Sequence, residues 1–416
     1  MTLDSRCPKK CEPDGPTAAC VWPERRGDSF APAVHGVPSA FAKLFPRFPE
    51  VMIRLALVLL LAVSAFGVLA ENAVPAPPQL AAKAYLLIDA TSGAVLVEHN
   101  ADERLPPASL TKMMTAYVLA EEINAGRVSE TDMVKITENS YSQNPLFAGS
   151  SLLYIEPGVD VSIADLQRGI IISSGNDSSV AVAEHIAGTE AVFAEMMNTN
   201  AKRLGMTDTH YVNSHGLPDP THLTTARDLA TLARAMINDH PKQYAIYKEL
   251  EFTFHNIRQY NRNTLLREDP SVDGLKTGHT AEAGYCLVAS ALRGDMRLIS
   301  VVMGAESTKA RKNDAASLFN YGFNFYQTKT LFEPMTELAK PRIWKGQQDY
   351  VPVGLLEKTV LTLQRGKHDN LVTSVAVNDE LVAPLAVGDP VGTVTVSLED
   401  KTVLQVPVVA LTAVEP

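Results

Sequence analysis

Three short stretches of this chain place groups that could carry out acyl transfer. In PASLTKMM, Ser109 precedes Lys112 by three residues, and Leu110, Met113, Met114, Tyr117 and Val118 mark an apolar stripe. That spacing predicts a helix near whose start the hydroxyl and the ammonium lie on one side, a turn apart. A serine hydroxyl is a poor nucleophile unless a base stands beside it. A lysine can be that base when it is neutral, and burial or a second cation favours the neutral form. Taken alone, S-x-x-K also fits a surface lysine whose charged head reaches water along an apolar stem. S-x-x-K occurs once, and so does K-T-G, at Lys276, Thr277 and Gly278, followed by His279 and Thr280 on an expected inner strand. Lys276 is the candidate second cation. S-x-N fits both Ser142-Gln143-Asn144 and Ser174-Gly175-Asn176, and the latter is favoured because it falls in a turn between two helical stripes.

The elements that must position these groups follow from periodicity. After the Pro-rich spacer AVPAPP at 71–81, AYLLIDATSGAVLVEHN reads as a hairpin turning at Thr91-Ser92-Gly93. The Ser109 helix follows, and from about Val161 to Asn238 helical stripes alternate with Gly and Pro turns. VDGLKTGHTAEAGYCLVASALRGDMRLISVVMGA returns to strand character, with two strands joined at Arg293-Gly294-Asp295 after a shorter one at Lys276. ARKNDAASLFNYGFNFYQ then gives an amphipathic helix. This order implies an α+β domain over 82–330, an antiparallel sheet with a helical cluster. From 331 to 416, Val, Thr and Leu alternate with polar residues between Gly, Asp and Pro turns, which predicts a small all-β sandwich domain.

The 416 residues are 46% hydrophobic and 20% charged, so a disordered or fibrous chain is excluded. A formal charge of -10 without a basic run argues against nucleic acid as a partner. Cys7, Cys11 and Cys20 crowd the N-terminus and leave Cys286 alone downstream, in an apolar run that suits a small buried thiol. Residues 52–70, MIRLALVLLLAVSAFGVLA, have the arginine, apolar core and small-residue cleavage site of a signal peptide. Residues 1–51 lack periodicity and are expected to be an untranslated or disordered extension, with Met52 as the true start.

S-x-x-K, S-x-N and K-T-G in this order are the set shared by class A β-lactamases and penicillin-binding proteins. Together with SSGNDSSVAVAEHIAG, NSHGL, EFTFHNIRQYNRN, AGYCLVAS and GDMRLISVVMGA, they make the chain resemble the low-molecular-mass penicillin-binding proteins. The resemblance is to the serine-type D-alanyl-D-alanine carboxypeptidases of the penicillin-binding protein 5 and 6 type, and it covers roughly residues 82 to 414. It implies a penicillin-binding/β-lactamase-like catalytic domain in which Ser109 is the nucleophile and Lys112 its base. It further implies that Ser174 relays the proton, Asn176 binds the substrate amide, and backbone N–H groups of Ser109 and His279 form an oxyanion hole. Lys276 and Thr277, with Gly278 beside them, and Arg311 would hold the terminal carboxylate of D-Ala-D-Ala. His215 matches a family histidine near the site. The cluster His210, His215 and His222 lacks H-E-x-x-H, so neither metal nor cofactor is expected. The implied partners are the peptidoglycan pentapeptide stem and, as covalent inhibitors, β-lactam antibiotics.

Alternatives on the same fold are a D,D-endopeptidase and a class A-like β-lactamase, which would use a dedicated glutamate for deacylation. A catalytically silent wall-binding module is a third, opposed by the intact motifs. Family members often end in an amphipathic membrane-surface helix, whereas this sequence runs strand-like through VPVVALTAVEP. The expectation is therefore a periplasmic protein, soluble after cleavage or anchored by an uncleaved N-terminal segment.

Overall fold

Alternation of apolar residues along three long strands builds a central antiparallel sheet with two buried faces. The computed structural model describes residues 74–416; the expected extension at 1–51 and signal peptide at 52–70 lie outside them. The sheet contains β1 (Ala84–Asp89) and β2 (Val95–His99), which form the expected hairpin. It continues with β5 (Val272–Thr280), β6 (Gly284–Arg293) and β7 (Met296–Ala305), in the order β2-β1-β7-β6-β5. Leu86 and Ile88 of β1 and Ile299, Val301 and Met303 of β7 face a helical cluster. Tyr85, Leu87, Leu298 and Val302 face the opposite side, where α5 (Thr308–Phe325) packs. This is the period of two that a strand imposes.

The K-T-G strand is not the inner strand that was expected. β5 pairs with β6 alone, Lys276 opposite Val288 and Gly278 opposite Cys286, and forms an edge of the sheet. Its burial comes from the turn that carries Ser109 and from the helical segment around Tyr247, rather than from a second strand. A hairpin also unforeseen, β3 (Glu251–Phe254) with β4 (Ile257–Tyr260), precedes it.

On the helical side, α1 (Lys112–Asn124) follows a 3-10 turn at Ala108–Thr111. The sequence predicted one apolar stripe, but every residue of α1 from Lys112 to Ala120 is buried, so the helix has no solvent face in its first two turns. Around it pack α2 (Asn176–Ala187), α3 (Glu190–Arg203) and α4 (Ala226–Asp239). Side chains of Thr189 and Thr225 cap α3 and α4 by accepting from backbone N–H groups.

The chain passes from α5 directly into β8 (Tyr326–Phe332), which pairs with β11 (Thr359–Gln364). A five-stranded antiparallel sheet follows, built from β9 (Thr336–Ala339), β10 (Val353–Leu355), β12 (Leu371–Val377), β13 (Pro390–Leu398) and β14 (Lys401–Ala410). It closes over its own core, centred on Val353, Val394 and Val408, and this part is all β as expected. A buried polar clasp joins it to the first hairpin. Asp89 accepts from Ser92 N at 2.7 Å and from Thr328 Oγ1 at 2.6 Å, and Ser92 Oγ lies 2.6 Å from Thr362 Oγ1. Thr328 and Thr362 are themselves 2.9 Å apart, so residues of β8 and β11 converge on one carboxylate.

Candidate active site

Because α1 is surrounded, Lys112 cannot extend its head to water. Its side chain is fully buried, and Nζ lies 3.2 Å from Ser109 Oγ, 2.6 Å from Asn176 Oδ1 and 2.6 Å from the His215 carbonyl. Burial pushes the ammonium down to about 7, against partial support from Asp177 and Glu190. Ser109 is half-buried and opens onto a cavity of about 330 Å³. The turn that presents it is conformationally unusual, since Ala108 sits at φ 49, in the left-handed region that a side chain disfavours.

The S-G-N turn comes to the same cavity. Ser174 sits at φ 63, between a π-type turn at Gly169–Ser173 and α2, so that its hydroxyl leaves the helical path. Lys276 Nζ donates to Ser174 Oγ at 2.8 Å and to the Thr277 carbonyl at 2.9 Å. Lys276 is buried, and its pKa is lowered by that burial and then by Lys112, Arg262 and Arg311. Burial is the leading cause for both lysines, and each ammonium disfavours the charged form of the other. The rival Ser142-Gln143-Asn144 stretch is not part of the cavity lining.

Gly278 explains why K-T-G ends in glycine. A Cβ there would stand 2.9 Å from the Pro107 carbonyl oxygen and 3.2 Å from the backbone nitrogens of Ser109 and Leu110. Strand and nucleophile turn therefore meet backbone to backbone. Thr277 is buried on the cavity wall, while the exposed His279 ring stacks on Tyr285 at 4.0 Å. Arg311, from the first turns of α5, donates to the Gly278 carbonyl at 3.0 Å and lines the cavity as well.

His215 reaches the site in two ways. Its carbonyl accepts from Lys112, and its ring lines the cavity against Phe147. Nδ1 accepts from Leu217 N at 3.1 Å, which leaves Nε2 to face Glu190 Oε1 at 3.4 Å. Burial and then Lys112 push it down to about 3, so the ring is neutral. His222 is held similarly, its Nδ1 accepting from Val212 N and its Nε2 2.8 Å from Thr111 Oγ1. Both rings spend their nitrogens on protein partners, an arrangement that leaves no lone pair for a metal.

Two site residues escaped the sequence reading. Asp177, fully buried, accepts from the backbone N–H groups of Leu153, Tyr154 and Ser178 at 2.7 to 2.9 Å and fixes the segment following Ser150 and Ser151, which line the cavity. Its adjacency to Asn176 was the available signal. Arg262 lines the cavity between two buried asparagines; Asn261 Nδ2 donates to the Tyr247 carbonyl and Asn263 Nδ2 to that of Gly274. The triplet Asn261-Arg262-Asn263 at the end of EFTFHNIRQYNRN is the signal that could have found it.

A half-buried serine, a buried lysine beside it and two further cations above an edge strand define a serine-type hydrolase on an α+β penicillin-binding fold. The chain belongs to the D-alanyl-D-alanine carboxypeptidase family, whose family model matches residues 71–307. Residues 326–416 match the penicillin-binding protein 5 C-terminal domain. The chain is 45% identical over 363 residues to D-alanyl-D-alanine carboxypeptidase DacC of Escherichia coli, covering 86% of this chain and 90% of that one. The crystal structure of penicillin-binding protein 5 from Haemophilus influenzae superposes with a TM-score of 0.79 at 40% identity, covering 82% of this chain and all (100%) of that chain. Penicillin-binding protein D2 from Listeria monocytogenes, solved in its ampicillin-bound form, is 30% identical with a TM-score of 0.54, over 59% of this chain and 100% of that one.

Proposed function

We propose that the chain is a serine-type D-Ala-D-Ala carboxypeptidase that removes the terminal D-alanine from peptidoglycan pentapeptide stems. The observation that carries this reading is the fully buried Lys112 amine, lowered to about 7, 3.2 Å from Ser109 Oγ. Neutral Lys112 takes the hydroxyl proton as Oγ bonds to the carbonyl carbon of the penultimate D-Ala. Backbone N–H groups of Ser109 and His279 receive the developing oxyanion, each worth on the order of 10² to 10³ in rate. The C–N bond breaks, Ser174 passes a proton to the leaving amine, and water hydrolyses the Ser109 ester. Asn176 orients the substrate amide. The terminal carboxylate sits among Lys276, Thr277 and Arg311, where its charge favours the cationic form of Lys276.

The cavity lining supports hydrolysis of a peptide over the class A β-lactamase alternative, because among the described residues it includes no carboxylate that could activate a deacylating water. β-Lactams acylate the same Ser109 hydroxyl, in keeping with the ampicillin-bound relative. Catalysis is assigned to 82–330 and a positioning role to 331–416, with β8 (Tyr326–Phe332) running across that limit. Residues 52–70 export the chain to the periplasm, where trimming of pentapeptides limits cross-linking and so affects cell shape. No helix among the described residues is long and apolar enough to cross a membrane.

The test is D-alanine release from a peptidoglycan pentapeptide, with Ser109→Ala alongside. Release that depends on Ser109, together with penicillin labelling that is lost in the variant, is expected. Labelling that survived Ser109→Ala would overturn the nucleophile, and N-terminal sequencing that found residues 1–51 on the native protein would overturn the start at Met52.

A further inference from the structure

The catalytic cavity does not end at the carboxylate-binding groups. Past Thr277 and Arg311 it continues into a groove of about 770 Å³, walled by β4, by the segment that follows it and by the first turns of α5. Arg262, Thr277, Thr308 and Arg311 line both spaces, so the groove begins where the released residue would sit. A terminal D-alanine carries only a methyl group and leaves this space empty.

The charges in the groove are unevenly compensated. Arg258 pairs with Glu251, and Lys312 pairs with Glu268 at 2.7 Å. Arg262 and Arg267 have no carboxylate partner among the described residues; Arg267 donates to the Leu250 carbonyl, which leaves its charge uncancelled. Both lie on the lining. The Tyr260 ring, half exposed, is flanked by the guanidinium carbons of Arg258 at 5.2 Å and Arg267 at 5.4 Å, which fixes their planes against an apolar wall. The N-terminus of the 18-residue α5 adds its positive end, since Thr308 and Lys312 belong to its first turns. Such a surface suits an aliphatic stem that ends in a carboxylate.

We propose that this groove is a leaving-side subsite, which accepts a long side chain bearing a carboxylate on the residue that is released. The inference rests on the carboxypeptidase reading and extends its specificity. The same amide is cut, the penultimate acyl group goes to Ser109, and the departing amine takes the proton; only the side chain of the departing residue differs. Arg262 and Arg267 meet its carboxylate, and Tyr260 packs on its methylenes.

Three synthetic peptides, identical up to the penultimate D-alanine, test this with the purified protein. One ends in D-Ala, one in D-Lys with a succinyl group on its ε-amine, and one in D-Lys with a butyryl group there. The last two match in length and differ in charge. A single charge-assisted contact predicts about a tenfold preference in kcat/KM for the succinyl over the butyryl peptide, and this preference shrinks as salt is raised. Arg267→Gln should bring the ratio to about one while D-Ala release stays within about twofold of the parent, which also reports that the variant is folded. Equal turnover of the two long peptides, refusal of both, or a preference unchanged in Arg267→Gln would overturn the subsite and leave the carboxypeptidase standing. Failure to release D-Ala from the first peptide would instead overturn the underlying reading, and the subsite with it.

Discussion

Lys112 Nζ stands 3.2 Å from Ser109 Oγ but only 2.6 Å from each of two oxygens that can do nothing but accept, Asn176 Oδ1 and the His215 carbonyl. A neutral amine has two N–H bonds and one lone pair. The two carbonyl oxygens claim the N–H bonds, so the lone pair is left facing the serine hydroxyl. Geometry thus does the aiming, and burial supplies the neutral form.

The first prediction follows from the protonation state. In the proposed mechanism acylation requires neutral Lys112, whose pKa is lowered to about 7, so the rate should fall about tenfold per pH unit on the acid side of that value and level off above it. Timing the labelling of Ser109 by a fluorescent penicillin across pH checks this. A rate constant that ignored pH around neutrality would remove Lys112 from the role of base.

Asp177→Asn should act at a distance. The carboxylate gathers backbone donors from Leu153, Tyr154 and Ser178, and an amide, with one acceptor oxygen and an NH2 turned towards those donors, cannot replace it. Stability should drop by about 2 kcal/mol or more, read by denaturant titration. Asp177 also supports the Lys112 ammonium, so its loss should move the acid limb of the pH profile to lower pH. An unshifted limb would confine Asp177 to a purely structural role.

In Gly278→Ala the new methyl would press on the Pro107 carbonyl and on the Ser109 nitrogen, and backbone cannot rotate away as a side chain does. Displacement of the strand by several tenths of an ångström should slow acylation by about 10²-fold. Near-wild-type kinetics in the alanine variant would show that the strand has room to give.

Asp89→Ala should separate events that the clasp holds together. It removes the acceptor for Ser92 and Thr328 and leaves buried hydroxyls without that partner, at a cost of about 2 to 3 kcal/mol. Calorimetry should show the part beyond Tyr326 melting apart from the rest, at a lower temperature than in the parent. A single unshifted transition would mean that the β8 and β11 packing alone couples them.

The pairing of Ser109 with Lys112, the hairpin and the long strands were legible because each is a local pattern: a three-residue spacing, a turn tripeptide, an alternation. What stayed hidden depends on contacts between distant segments. Strand order is such a property: β5 is an edge strand although Leu275 to Gly278 are buried, because the turn at Ser109 packs against Gly278. The burial of α1 all round its first two turns is another, because its Thr115 and Lys112 look polar in sequence and find partners in Ser214, Asn176 and His215 only after folding. Asp177 reads as an ordinary first-turn carboxylate of a helix until the Leu153 segment arrives. Arg262 has no periodicity to announce it; two buried asparagines, tied to the Tyr247 and Gly274 carbonyls, decide where it stands.

Cys286 has a use that its chemistry conceals. It lies opposite Gly278 in the sheet, has no exposed surface, and its thiol is pushed up to about 11 by burial. It is also the one cysteine among the described residues. In the folded protein it is therefore silent to alkylating reagents, and each labelling event reports that the strands around the catalytic edge have parted. The molecule carries its own clock for the opening of its working surface, and ligands that clamp the edge strand should slow it.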